Sequence, residues 1–275
     1  MKEMVWDEFW EAQGKSAVDE IIESDGYYRL LKRLIVLPFS GEQTVRVLEV
    51  GCGSGIRTLA LLKEFQGHPL EATLIDKSSS ALSLAERNAV ENKIKANLLS
   101  ADGLNLPFSG ETFDIVWSGG VNEHFEGAER MALFIEMARV VKRGGQLIII
   151  VPNALNLPYR VAKKALELRG RWLYGFEKPF TIFELRNKMR RAGVVPRKAG
   201  GMWVVNSLFI LLDLLGKRRA TGSKRAAVSP RKNLSIWRRF SRGCEMILEE
   251  TVGIFAGHFI GMRGEKSDIS NCRSS

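Results

Sequence analysis

Histidine and cysteine are scarce in this chain of 275 residues, with three of each. Cys52, Cys244 and Cys272 are odd in number and form no CxxC pair, which argues against a disulfide framework or a zinc site and fits a reducing cytoplasm. His68, His124 and His258 give no metal-ligand spacing, and no serine–histidine motif accompanies them. Long apolar runs are missing too. The longest, Met202 to Leu215, includes Asn206, Ser207 and Asp213 and is too short for a membrane span. Glu3, Asp7, Glu8 and Glu11 exclude a signal peptide at the start of the sequence. Acidic residues are absent between Lys217 and Arg242, where ten basic residues stand. That stretch accounts for the whole net charge of +10, and the rest of the chain is balanced. Hydrophobic content of 45% and charged content of 26% are those of an ordinary globular protein of one or two domains.

The most informative stretch is Val47-Leu48-Glu49-Val50-Gly51-Cys52-Gly53-Ser54-Gly55. Thr44 to Val50 is apolar and β-branched enough for a buried strand. It runs into three glycines at alternate positions, and Ile56 to Phe65 then has helical spacing. Strand, glycine turn and helix open a nucleotide-binding βαβ unit, where the helix start offers unpaired N–H groups to an anion. Leu70 to Ile75 reads as a second strand ending at Asp76, a position from which a carboxylate takes both hydroxyls of a ribose. Ser78 is placed to cap a helix reaching about Asn92. A third strand is expected over Lys95 to Ser100 and a fourth over Thr112 to Ser118. A helix is expected over Glu126 to Lys142, with Met131, Phe134, Ile135, Ala138 and Val141 on one face and Gly144-Gly145 ending it. A fifth strand follows over Gln146 to Val151, a sixth from Val194 towards Trp203–Val205, and a last one over Gly257 to Arg263.

Glu49-x-Gly51-x-Gly53-x-Gly55 differs from the dinucleotide fingerprint, whose third glycine stands three residues after the second. It resembles the first motif of the class I S-adenosylmethionine-dependent methyltransferases. Asp102-Gly103-x-x-Leu106-Pro107-Phe108, then Phe113-Asp114-Ile115-Val116, then Asn122-Glu123-His124-Phe125 resemble the type 11, UbiE-like, branch of that family. The resemblance is dense over residues 44–153 and looser to residue 200. It implies an α/β fold with a Rossmann-like, doubly wound, mostly parallel sheet, an antiparallel last strand and a helical insertion between the last two strands. It implies S-adenosylmethionine as cofactor, with Glu49, Gly51 and Gly53 at the methionine end, Asp76 on the ribose, and Asp102 and the Gly103 N–H on the adenine. Gly55, Lys77 and the backbone at Ser118 complete the expected cofactor set. His124 is the candidate base, since an imidazole of ordinary pKa, about 6.5, accepts a proton at neutral pH. Its alternative role is structural, and Glu123, Tyr159 and Tyr174 are further candidates. No metal is expected.

The expected divisions are N-terminal helices over 1–43, a cofactor-binding core over 44–205, a helical and basic insertion over 206–252, a final strand over 253–264 and a polar tail over 265–275. Trp6, Phe9 and Trp10 share one face of a leading helix, which either packs outside the sheet or closes over the site. The expected function is methyl transfer to an O, N or C atom of a small-molecule or lipid-like acceptor. An RNA methyltransferase, an NAD-type oxidoreductase and a non-catalytic cofactor-binding protein are the alternatives. The apolar and basic segment 206–242 suits peripheral contact with an anionic membrane. It suits nucleic acid less well, with only Trp237 and Phe240 as stacking platforms.

Overall fold

In the computed structural model, which describes residues 6–14, 16–37, 43–203 and 252–267, the glycine turn opens at the centre of a seven-stranded sheet. The strands are β1 (Val45–Val50), β2 (Leu70–Asp76), β3 (Asn97–Ser100), β4 (Phe113–Gly119), β5 (Val141–Pro152), β6 (Val194–Met202) and β7 (Phe259–Lys266). Their order is β3-β2-β1-β4-β5-β7-β6. β1 to β5 pair in parallel, and β7 runs antiparallel to both of its neighbours. The chain therefore winds outward from β1 in one direction and from β4 in the other. Between them lies the switch point at which ligands bind in such sheets.

β1 is apolar on both faces because both faces are covered. Val47 packs with Trp117, Ile148 and Ile150 against α3 (Gly26–Leu34) and α4 (Ile56–Glu64). Leu48 and Val50 pack with Val116, Leu147 and Ile149 against α6 (Glu129–Val140) and α8 (Ile182–Arg191). The remaining helices are α1 (Trp6–Glu11), α2 (Val18–Ser24), α5 (Ser79–Glu91), α7 (Leu157–Leu168) and the short α9 (Gly253–Ala256). The N-terminal helices expected over 1–43 include α3, which buries Tyr27, Leu30, Leu31 and Leu34 on the sheet. Ser78 caps α5 as expected, accepting from the Ala81 N–H.

The helix expected over Glu126 to Lys142 is shorter. It ends at Val140, and β5 begins at Val141 rather than Gln146. The chain entering β4 imposes this stop: the Glu111 and Thr112 N–H groups take the Arg139 and Val140 carbonyls that another helical turn would use. Lys142 and Arg143 accordingly leave the helix end for Asp114 and Glu111. The buried face is Leu133, Phe134, Met137, Ala138 and Val140, with Ile135 exposed. The expected insertion, with its apolar helix, basic run and membrane contact, lies outside the described residues except for Val252. Among the described residues no helix is long and apolar enough to cross a membrane.

One buried cation fixes the layer beneath the site. Arg130 of α6 is 2% exposed. Its Nε donates to Glu184 of α8 at 2.9 Å, and its other nitrogens donate to the carbonyls of Phe125, Lys178 and Pro179. The guanidinium lies 3.3 Å from the centre of the Phe180 ring. Arg130→Met strips three carbonyls and a carboxylate of their donor, and is expected to cost about 3 kcal/mol of unfolding free energy. Arg130→Lys recovers only part, because one ammonium cannot span the fork. Urea denaturation of the three proteins checks this; a loss below about 1 kcal/mol in Arg130→Met would show that the network does not hold the layer.

Candidate active site

The turn after β1 is built for close approach. Gly51 and Gly53 have φ of +69° and +53°, a region that side chains resist. A Cβ on Gly51 would stand 2.4 Å from Val121, and one on Gly53 would stand 2.3 Å from the Trp10 ring. Gly55 serves packing, since a Cβ there would meet Leu74 at 2.8 Å. Across the turn, the two oxygens of Asp76 accept from the Gly53 N–H at 2.9 Å and the Ser78 N–H at 3.0 Å. Burial raises the Asp76 carboxyl above its ordinary range in spite of these bonds.

Glu49 ends β1 pointing into the protein, 5% exposed. Burial pushes its pKa up to about 8, against a hydrogen bond from Thr58 and the nearby Arg57. Its Oε2 has no hydrogen-bond partner among the described residues. A buried acceptor left open at the mouth of a glycine turn is a fit for a ligand that brings a donor.

The other expected residues are placed as follows. Asp102 lies just beyond β3, bonded to the Lys77 ammonium at 2.9 Å and to the Leu104 N–H at 2.9 Å. Against partial burial, the Leu104 N–H and then Lys77 hold its carboxyl below the usual range. Gly103 faces inward, where a Cβ would meet Leu133 at 3.0 Å and Val50 at 3.1 Å. The Ser118 hydroxyl is fully buried and donates to Asn122 at 2.6 Å, so only the backbone of Ser118 to Gly120 is offered at the tip of β4. His124 stands in the 3-10 turn Asn122–His124. Its Nδ1 lies 2.6 Å from the Phe176 carbonyl, which makes Nδ1 the protonated nitrogen. Burial lowers its pKa, so the ring stays neutral.

Helix α1 is brought over this site, the second of the two placements the sequence allowed. Asp7 accepts from the Ser78 hydroxyl at 2.6 Å and the Ser80 N–H at 3.1 Å, at the start of α5, where a carboxylate meets the positive end of a helix. The anchored helix lays Trp10 on Gly53, Trp6 edge-on to His124 at 4.9 Å, and Phe9 against Tyr174 at 5.7 Å.

Several groups at the site escaped sequence reasoning. Tyr27 of α3 has its hydroxyl against Gly119 and donates to the Ile150 carbonyl at 3.2 Å. Glu177 accepts from the Tyr159 hydroxyl. His258, to which no role was given, lies tilted against the Tyr159 ring at 4.2 Å, and burial lowers its pKa to about 3. The heavy spacing of aromatics over Trp172, Tyr174 and Phe176 is the one sequence signal that marked this region. Among the described residues no His, Cys, Asp and Glu cluster is arranged to hold a metal ion.

Residues 47–145 match a family model described as a methyltransferase domain. The chain is 32% identical over 129 residues to a demethylmenaquinone methyltransferase of Alkalihalophilus pseudofirmus, covering 46% of this chain and 51% of that protein. It is 26% identical over 201 residues to a ubiquinone biosynthesis O-methyltransferase of Cereibacter sphaeroides, covering 71% of this chain and 76% of that protein. The chain spans between about half and two thirds of the length of the first curated relatives it matches. Among solved structures, a methyltransferase complexed with the Trm112 activator of Haloferax volcanii superposes with a TM-score of 0.58 at 16% identity, covering 98% of this chain and 100% of that one.

The raised acids have a measurable consequence. The Glu49 pKa of about 8 lies above the ordinary carboxyl value, so the folded state holds a proton that the unfolded state gives up. Stability from this group is therefore present below about pH 4.5 and lost as the pH climbs towards 8. His258 acts in the opposite direction, mainly between its folded value of about 3 and the ordinary 6.5, and its remainder above pH 6.5 is common to the protein and to a Glu49 variant. Glu49→Gln is expected to flatten the fall in unfolding free energy between about pH 6.5 and 8, by on the order of 1–2 kcal/mol. Urea titrations of both proteins at pH 6.5 and 8 check it; parallel falls would show that Glu49 ionises normally.

Proposed function

We propose that the chain, whose residues 47–145 match a methyltransferase domain, transfers a methyl group from S-adenosylmethionine to a small-molecule acceptor. The observation that carries the proposal is the turn itself: three left-handed glycines, Gly51, Gly53 and Gly55, the Asp76 carboxylate bonded across to the Gly53 N–H, and the open buried oxygen of Glu49. The relatives' names, which speak of demethylmenaquinone and of ubiquinone biosynthesis, support a small-molecule acceptor over nucleic acid.

The cofactor supplies an electrophilic methyl group on a sulfonium sulfur. The chain's part is to bind, orient and exclude water. Glu49 is the acceptor for a donor at the methionine end. Asp76 keeps lone pairs free on both oxygens for the ribose hydroxyls, and Asp102, held by Lys77, takes the adenine amino group. The backbone at the tip of β4, with the Tyr27 hydroxyl beside Gly119, borders the transfer point. His124 is a positioning residue: its Nδ1–H fastens the Phe176 segment and its ring supports Trp6. Helix α1 closes the site from above.

Calorimetry with S-adenosylmethionine, S-adenosylhomocysteine and NAD tests the proposal. Both sulfur ligands are expected to bind, and NAD is not. Asp76→Ala is expected to weaken the sulfur ligands by roughly 1.5–3 kcal/mol for each charge-assisted bond lost. Gly53→Val drives a side chain into the Trp10 ring and is expected to abolish binding nearly completely. Tighter binding of NAD, or wild-type affinity in Gly53→Val, would refute the assignment.

A further inference from the structure

Beside the proposed transfer point lies a second set of buried ionisable groups that cofactor binding does not use. Glu123, next to His124, is 2% exposed, and its Oε2 has no partner among the described residues. Its backbone carbonyl accepts from the Lys178 N–H, while His124 holds the Phe176 carbonyl. The segment 176–178 is thereby strapped along the 122–124 turn, which sets Glu177 beside Glu123. Burial and then the charge of Glu177 raise the Glu123 carboxyl, and burial raises Glu177 to about 7. The nearest cations are already engaged: Arg130 with Glu184, and Lys163 with Glu167.

Aromatic rings adjoin Glu177. Tyr159 donates to Glu177, and Trp172 lies 6.4 Å from Tyr159 and 5.2 Å from Tyr174. Trp172 already carries the Lys163 ammonium 5.0 Å from its ring centre, so these faces accept a cation. The unpartnered Nδ1 of His258 adds a neutral acceptor. Arg130 and Lys163 offset the shifts of Glu123 and Glu177 only in part, so the two adjacent buried acids remain destabilised by burial and by each other. An ammonium ion relieves both costs at once, and aromatic rings add attraction. A neutral hydroxyl offers one hydrogen bond and no charge, so it leaves the repulsion in place, and a phenolate worsens it.

We propose that Glu123, Glu177, Tyr159 and the faces of Trp172 and Tyr174 form an acceptor site for an organic amine, bound as its ammonium ion. The inference rests on the methyltransferase assignment and names the acceptor class for that site. The ammonium gives one proton to the Glu177 carboxylate. The freed nitrogen lone pair then forms the N–C bond as the S–C bond breaks, with the bonding pair left on sulfur. The products are the methylated ammonium and neutral S-adenosylhomocysteine.

The test is calorimetry on the full chain with S-adenosylhomocysteine bound, using matched amines and alcohols: benzylamine and benzyl alcohol, phenethylamine and phenylethanol, butylamine and butanol. At least one amine is expected to bind roughly tenfold or more tightly than its alcohol. Glu123→Gln and Glu177→Gln, both isosteric, are each expected to weaken that amine by about tenfold or more without changing affinity for S-adenosylhomocysteine. The amine–alcohol ratio on the wild-type protein stands even if a variant fails to fold. No amine preference in any pair, or undiminished amine binding in two folded variants, would overturn the amine site alone. Failure to bind S-adenosylhomocysteine would overturn the methyltransferase assignment and the amine site together.

Discussion

The carboxylate of Asp76 ties the site into one frame. One oxygen receives the N–H of Gly53 from the turn after β1, and the other receives the N–H of Ser78 at the start of α5. Two turns that belong to different strands are thereby fixed relative to each other by a single side chain. Both bonds run to an acceptor with lone pairs to spare, so a ligand can be added without breaking the frame. The sheet order makes this possible: β1 and β2 are parallel neighbours in register from Val45–Leu70 to Val50–Ile75, so their carboxyl ends reach the same level.

From Asp76 the organisation spreads outward. Ser78 accepts from the Ala81 N–H as a helix cap, and its hydroxyl also donates to Asp7. The cap of α5 is thus also the mooring of α1. Once α1 is moored there, Trp10 falls on Gly53 and Trp6 on His124. The missing Cβ of Gly53 has two consequences: it frees the backbone angle, and it leaves the space that the indole fills. His124 in turn fastens the Phe176 segment, so the cover and the far wall meet at one imidazole. That double contact accounts for a histidine at this position without a proton-transfer role.

What was legible in the sequence was local. Residues 45–64 gave strand, turn and helix because glycine spacing and apolar periodicity act within a few residues, and Ser78 was readable as a cap for the same reason. Asp76 was readable because it ends a strand of an already recognised unit. The end of α6 was not, because its last carbonyls are claimed by Glu111 and Thr112, which no pattern within residues 126–145 shows. The pairing of Glu123 with Glu177 bridges more than fifty residues. His258 arrives only because β7 runs antiparallel beside β5, with the Asn153 N–H on the His258 carbonyl. Such contacts follow from topology rather than from local propensity.

The same topology explains why acids can be buried here at all. Burial raises the carboxyls of Glu49 and Glu123, and burial followed by the charges of Glu123 and Glu49 holds the Tyr27 hydroxyl proton on more tightly. The phenol stays neutral and donates to the Ile150 carbonyl. A protein selected for stability alone would fill these positions with apolar side chains, since an unpaired buried acid only costs free energy. The cost is recovered when a cation or a donor arrives, and it is recovered most by the ligand that meets the most acids. A sulfonium cofactor at Glu49 and an ammonium acceptor at Glu123 and Glu177 would each neutralise one group of acids.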